Sequence, residues 1–282
     1  MCEGRMSMNS LVGCALMPHP PIMIPEIGKQ ERNCVHKTVE AARKAADFLK
    51  SAGPHTVIVI SPHGALFPDA VGVNMHPRPR GSFAAFGVPD ISMGFETDVF
   101  LVQKIQREAD RLGVNLLELD DELAKTYRFS LQLDHGVLVP LYYLHKAGFR
   151  GQIVHLTVGL LSYEEMYTFG KAVQIAIQAS GRKTAVIASG DLSHRLTQNA
   201  PAGYHPLGAE FDQQVVDALT NMDVKALLKL DRNLVENAGE CGLRPIFFLM
   251  GVLGGLNAQS EMLSYEGPFG VGYAVFLFRV PQ

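Results

Sequence analysis

A single α/β domain, built on a central and mostly parallel β-sheet flanked by helices, is the fold class this sequence predicts. Three observations carry that reading. Short apolar runs rich in β-branched residues, such as Thr56–Ile60 (TVIVI) and Thr184–Ala188 (TAVIA), alternate with amphipathic stretches of helical period. No linker-like shift of composition divides the 282 residues, a length that one large α/β domain can fill. Three of the apolar runs stop at a histidine, and in open α/β sheets ligands bind just past the carboxyl ends of the strands.

Residues 1–10 are polar and Met-rich, an expected disordered leader, so the domain runs from 11 to 282. Leu11–Met17 (LVGCALM) reads as a buried strand ending at Pro18-His19-Pro20-Pro21, where the prolines hold His19 on a stiff, non-helical segment. From Gln30 to Ser51, Val35, Val39, Ala42, Ala46 and Leu49 recur at helical spacing, and Gly53-Pro54 ends that helix. Thr56–Ile60 is a central strand running into Ser61-Pro62-His63-Gly64. Ala70–Asn74 is a further strand, and the Pro/Gly/Arg-rich stretch 75–90 is expected to be a long loop of the kind that often shapes a binding site. Asp98–Leu112 is an amphipathic helix and Val114–Leu119 a strand. Leu131–Leu144 carries Asp134-His135-Gly136 and then Pro140, which fits a regular element only in the first turn of a helix.

Gly151–Val158 is a strand with His155 inside it, read as a structural, hydrogen-bonded histidine. Ser162–Ser180 is a helix, with Ser162 and Glu165 forming a capping box. Thr184–Ala188 is the strand that breaks into Ser189-Gly190-Asp191-Leu192-Ser193-His194. There Gly190 permits a sharp turn, and Asp191 and Ser193 can orient an imidazole or cap a helix. Helices are expected over Pro206–Leu219, Asp223–Leu230 and Ile246–Leu253, and closing strands over Met262–Glu266 and Val271–Val280.

Composition narrows the function. A net charge of −3 gives no electrostatic reason for a nucleic-acid or anionic-membrane partner. The longest apolar runs are too short and Gly-broken to span a bilayer, and the first residues lack the apolar core of a secretory signal. Cys2, Cys14, Cys34 and Cys241 show no paired spacing, which argues against a disulfide framework and for a reducing cytoplasm.

His19, His63 and His194 each follow an apolar strand, so they converge at one edge if those strands share a sheet and a direction; His135 is a fourth candidate. Neutral imidazole is the commonest protein metal ligand, and clustered imidazoles are hard to justify as core filling. Two histidines and a carboxylate make the facial arrangement that binds ferrous iron and leaves positions open. Glu240, in a Gly-flanked turn at the head of an apolar helix, is the candidate carboxylate, although an acid there also serves simply as a helix start. Cys241 beside it could take its place or be a small buried hydrophobe. Spacing does not separate iron from zinc, so a zinc hydrolase on the same residues stays open. His36, His55, His76, His145 and His205 read as surface, as do Arg78, Arg80, Lys125 and Arg195, whose alternative is to meet a substrate carboxylate.

PHPP at Pro18–Pro21, SPHG at Ser61–Gly64, DHG at Asp134–Gly136 and SGDLSH at Ser189–His194, in that order, resemble the class III extradiol ring-cleavage dioxygenases. The type is represented by the catalytic β-subunit of protocatechuate 4,5-dioxygenase, and the resemblance runs from Leu11 onward. Nearer still are dioxygenase-like domains associated with the Memo and AMMECR families. The resemblance implies a non-haem Fe(II) site with His19, His63 and Glu240 as ligands, His194 as acid/base and His135 contacting substrate or oxygen. It implies a catechol-like aromatic and O2 as substrates, and a homo-oligomer. In Memo-like proteins the residue matching Cys241 is a metal-site cysteine. A second reading is therefore a metal-binding, non-catalytic domain partnering an AMMECR or radical-SAM protein.

Overall fold

The computed structural model describes residues 10–281, so the expected leader lies outside them apart from Ser10. In chain order the elements are β1 (Leu11–Met17), α1 (Pro25–Gly28), α2 (His36–Ser51), β2 (Thr56–Ser61), β3 (Val71–Asn74), β4 (Arg80–Phe83), β5 (Val88–Gly94), α3 (Val99–Arg111), β6 (Leu116–Leu119) and α4 (Asp121–Tyr127). There follow α5 (His135–Lys146), β7 (Gln152–Thr157), α6 (Tyr163–Ser180), β8 (Thr184–Ser189), α7 (Leu207–Thr220), α8 (Val224–Leu228), α9 (Arg232–Ala238), α10 (Leu243–Val252), β9 (Gln259–Glu266) and β10 (Tyr273–Arg279). Eight strands form one sheet in the order β6-β3-β7-β2-β8-β1-β10-β9. Its middle, β7-β2-β8-β1, is parallel throughout. β3 runs against β7, and β10 and β9 complete the other side antiparallel.

Successive side chains of a strand point to opposite faces, so a strand without polar residues has to be covered on both. In β2, Val57 and Val59 join a core with α2 and α5, while Ile58 and Ile60 join one with α3, α6 and α10. Each such fully buried side chain contributes about 1.5–3 kcal/mol. The result is three layers, helix on sheet on helix, as the alternation of elements predicts. Among the described residues no helix is long and apolar enough to cross a membrane.

Four local expectations are corrected. The stretch 75–90 is not a long loop: β4 and β5 pair across it as an antiparallel hairpin, hidden in the sequence by Gly81, Gly87 and Pro89, which depress strand propensity. Pro140 lies inside α5, past its first turn. The short helices α4 and α9 were not expected; each starts on an aspartate cap, Asp120 to the Leu123 N–H and Asp231 to the Leu234 N–H. Helix α10 begins at Leu243 rather than Ile246, with Pro245 in a first turn where a missing N–H costs nothing.

Candidate metal centre

Strands β2, β8 and β1 lie side by side and run the same way, with Met17 paired to Ser189 and Ile60 to Ala188. The PHPP, SGDLSH and SPHG segments therefore leave the sheet at a single edge. Gly190 lets another segment in: a Cβ built there would lie 2.5 Å from the Gly242 Cα. Without side chains at that crossing, the turn before α10 presses against the turn after β8 and carries Cys241 to His19.

The His19 ring is buried, and its Nε2 faces His63 Nε2 at 3.0 Å. The half-buried His135, first residue of α5, packs its ring 4.2 Å from that of His63 and 5.4 Å from that of His19. Burial and the neighbouring rings push His19 down to about 3 and His135 down to about 4, so both are neutral at pH 7.

Hydrogen-bond accounting assigns the His19 tautomer. Pro140 has no N–H, so the Gly136 carbonyl four residues earlier has no helical partner. It accepts instead from the Ser189 hydroxyl at 2.5 Å. With its one proton committed, Ser189 Oγ can only accept from His19 Nδ1, 2.9 Å away. His19 Nε2 is then left with a bare lone pair directed at His63.

A second chain holds His63. The Ser61 Oγ donates to Asp134 Oδ1 at 2.8 Å and accepts the His63 N–H at 3.1 Å. Burial opposes the charge on Asp134, but His155, 3.4 Å from its other oxygen, with Ser61 and His63, outweighs it and holds the carboxyl well below its ordinary value. His155 is thus buried and structural, as its place within a strand suggested, yet its partner is the residue that anchors this part of the site.

Around His19 stand two further groups. Asp191 Oδ1 accepts the His19 backbone N–H at 3.0 Å, and Asp191 Oδ2 lies 3.7 Å from His19 Nε2. Burial pushes the Asp191 carboxyl up. The Cys241 Sγ is 3.7 Å from His19 Nε2, and burial with Asp191 pushes its thiol up. His194 is half-buried; its Nδ1 donates to the Gly239 carbonyl, and its Nε2 lies 3.9 Å from Asp191 Oδ2.

The structure brings His19, His63 and His135 together, with His194 one carboxylate away. It does not bring Glu240 to them. The Glu240 carboxylate accepts the Leu243 N–H at 2.6 Å and so caps α10, and it belongs to neither cluster of candidate ligands, whereas its neighbour Cys241 lies against His19. Ser189, Asp134 and Asp191 are site residues for which the sequence pattern predicts no ligand or catalytic role; a polar residue ending an apolar strand is the available signal for Ser189.

The donor set fits a transition metal. Two nitrogens each about 2.1 Å from one ion and at right angles stand about 3.0 Å apart, the separation found between His19 Nε2 and His63 Nε2. His135 makes a third group with these two, and Asp191 and Cys241 make another with His19, each group having its ligand atoms within 4.8 Å of one another. Imidazole, carboxylate and thiol together suit iron, zinc or copper rather than magnesium or calcium.

Residues 13–276 match the family described as the catalytic LigB subunit of aromatic ring-opening dioxygenase. Protein CA_C1420 of Clostridium acetobutylicum is 38% identical over 94% of this chain, which spans only 57% of that protein's length. The 3,4-dihydroxyphenylacetate 2,3-dioxygenase of Escherichia coli is 25% identical, over 88% of this chain and 91% of its own. A MEMO1 family protein of Archaeoglobus fulgidus is 29% identical, over 84% and 89%. Among solved structures, the uncharacterized protein JW3007 from Escherichia coli K12 superposes with a TM-score of 0.64 at 14% identity, covering 94% of this chain and 99% of that one. That likeness concerns the fold.

Proposed function

This chain belongs to the LigB family of ring-opening dioxygenase catalytic subunits, and on that premise we propose that it is a ferrous-iron dioxygenase that opens a catechol-like aromatic ring with O2. The observation that carries the reading is the pair of facing imidazoles, His19 and His63, which follow β1 and β2 at one edge of the sheet with their Nε2 atoms 3.0 Å apart. They are the proposed ligands, with the third position supplied by Cys241 or Asp191 and Glu240 left as a helix cap. Bound iron would supply a centre at which catechol oxygens and O2 are held together and electrons pass between them.

The protein's own part is to orient and to move protons. His194 Nε2 takes the proton of the second substrate hydroxyl and later returns it, a role to which an imidazole is suited. Neutral His135 offers an N–H to a substrate or oxygen atom. Phe86, in the turn of the β4–β5 hairpin, stands 5.6 Å from the His135 ring and is 39% exposed, a face on which an aromatic ring can stack.

The test is anaerobic loading with Fe(II), followed by air and a panel of catechols. Formation of a yellow ring-fission product, abolished by His194→Ala, is the expected result. A second reading has its own observation: a thiol rather than the Glu240 carboxylate faces His19, and thiolate favours softer metals. On that reading the chain is a Memo-like metal-binding partner of an AMMECR-domain protein, silent across the panel and tighter for zinc or copper than for iron.

A further inference from the structure

The arginines Arg78 and Arg80 do not approach the histidines; with Arg150 they line a separate cavity of about 880 Å³. The cavity opens at the amino end of the parallel strands, where His55 precedes β2 and Gln152 begins β7. Six residues of β2, about 20 Å, separate it from the histidine cluster.

The fixed charges around it are three arginines and Glu96, net positive by two in a chain of net charge −3. Glu96 meets Arg78 at 3.4 Å, an exposed pair that neutralises little. Arg150 is held by two carbonyls, those of His145 at 2.9 Å and Phe149 at 2.6 Å. Among the described residues neither Arg80 nor Arg150 has a carboxylate partner. The Arg80 stem lies along Gly94, where an added Cβ would be 3.0 Å from its Cγ. Burial, then the charges of Arg150 and Lys146, push the His145 ring below its ordinary value, so the field at this wall is positive. The floor is apolar, formed by Met93 and by Phe95 stacked on Phe149.

Both guanidinium groups are exposed, Arg150 held by its carbonyls and Arg80 only by the packing of its stem, and guanidinium groups without a carboxylate can pair with phosphoryl oxygens in two-point contacts. The volume lies within the range of small-molecule sites. We propose that this cavity is a second ligand site, one that binds a small organic phosphate. The phosphate sits between Arg80 and Arg150, and its organic part lies along Met93 and Phe95. The site is independent of the metal reading, because none of its residues contacts the histidine cluster.

The experiment is calorimetric titration of the full chain, stripped of metal with a chelator, with inorganic pyrophosphate at fixed ionic strength. Acetate at the same ionic strength is the control. The expected result is saturable one-to-one binding, weakened at least about tenfold by either Arg80→Gln or Arg150→Gln and unchanged by His19→Ala. Arg80→Gln removes no side-chain hydrogen bond among the described residues, and circular dichroism verifies the fold of Arg150→Gln. Absence of saturable binding, equal affinity in the arginine variants, or equal displacement by acetate overturns the proposal.

Discussion

Ser189→Ala is the sharpest probe of how the site is held. Ser189 and His19 are both buried. The substitution removes the 2.9 Å bond from His19 Nδ1 and the 2.5 Å bond to the Gly136 carbonyl. Each bond is worth about 1 kcal/mol net, and stranding a buried partner adds about 1–3 kcal/mol. Pro140 cannot return an N–H to Gly136, so that carbonyl stays orphaned and the variant should lose about 2–4 kcal/mol. Freed of its partner, His19 can place its proton on Nε2. Losing such an outer hydrogen bond typically costs about 10–100-fold in metal affinity. Urea unfolding of the metal-free protein measures the first effect and competition with a chelator the second. The 15N spectrum of His19 in the wild type reports the tautomer directly. The reasoning is refuted if His19 carries its proton on Nε2, or if the variant keeps stability within about 0.5 kcal/mol and metal affinity within about threefold.

Phe169→Ala, deleting a fully buried ring packed 5.6 Å from Phe248, should cost about 3–5 kcal/mol in urea and leave metal affinity unchanged. His19→Ala and His63→Ala should each abolish tight iron binding. His194→Ala should keep the iron and lower turnover by about 10²–10⁴, an assignment that iron stoichiometry on the three variants decides; an empty His194→Ala site would make His194 a ligand. Glu240→Gln should retain metal and Cys241→Ser should weaken it, the reverse of a site closed by Glu240. Asp212, buried and accepting the Ser193 N–H and the Tyr265 hydroxyl, is pushed up to about 7, chiefly by burial. Folding favours its protonated form, so its stabilisation is complete below the ordinary value near 3.8 and is lost as pH rises through about 7. The span is on the order of 4 kcal/mol, and Asp212→Asn should flatten the stability profile between about pH 4 and 8 by about that much.

The parallel middle of the sheet was legible because TVIVI and TAVIA can be satisfied only by burial on both faces. The histidine junctions were legible for a related reason, since PHPP and SPHG stop a strand abruptly wherever they occur. What could not be read locally was orientation. Glu240 and Cys241 are neighbours in one turn, yet Glu240 bonds the Leu243 N–H while Cys241 meets His19, a choice set by the approach of Gly242 to Gly190, 52 positions away. Pro140 looked out of place because its compensating donor is Ser189, on a different element. His155 is buried, in keeping with the structural role expected of it, but its partner Asp134 follows only from β7 lying next to β2.

The strand order also governs when this site can come into being. β8 lies between β1 and β2, so His19 and His63, only 44 positions apart, are flanked by a slot that stays unfilled until residues 184–189 have been made. Cys241 follows His19 by 222 positions, roughly 10–45 s of ribosomal synthesis. A nascent chain thus presents exposed, β-rich edges on β1 and β2 well before their shared neighbour arrives, and these are edges prone to pair with the wrong strand. The full donor set is consequently assembled only after residue 241 has been made, and on the proposed reading metal acquisition would report completed folding of this domain rather than guide it.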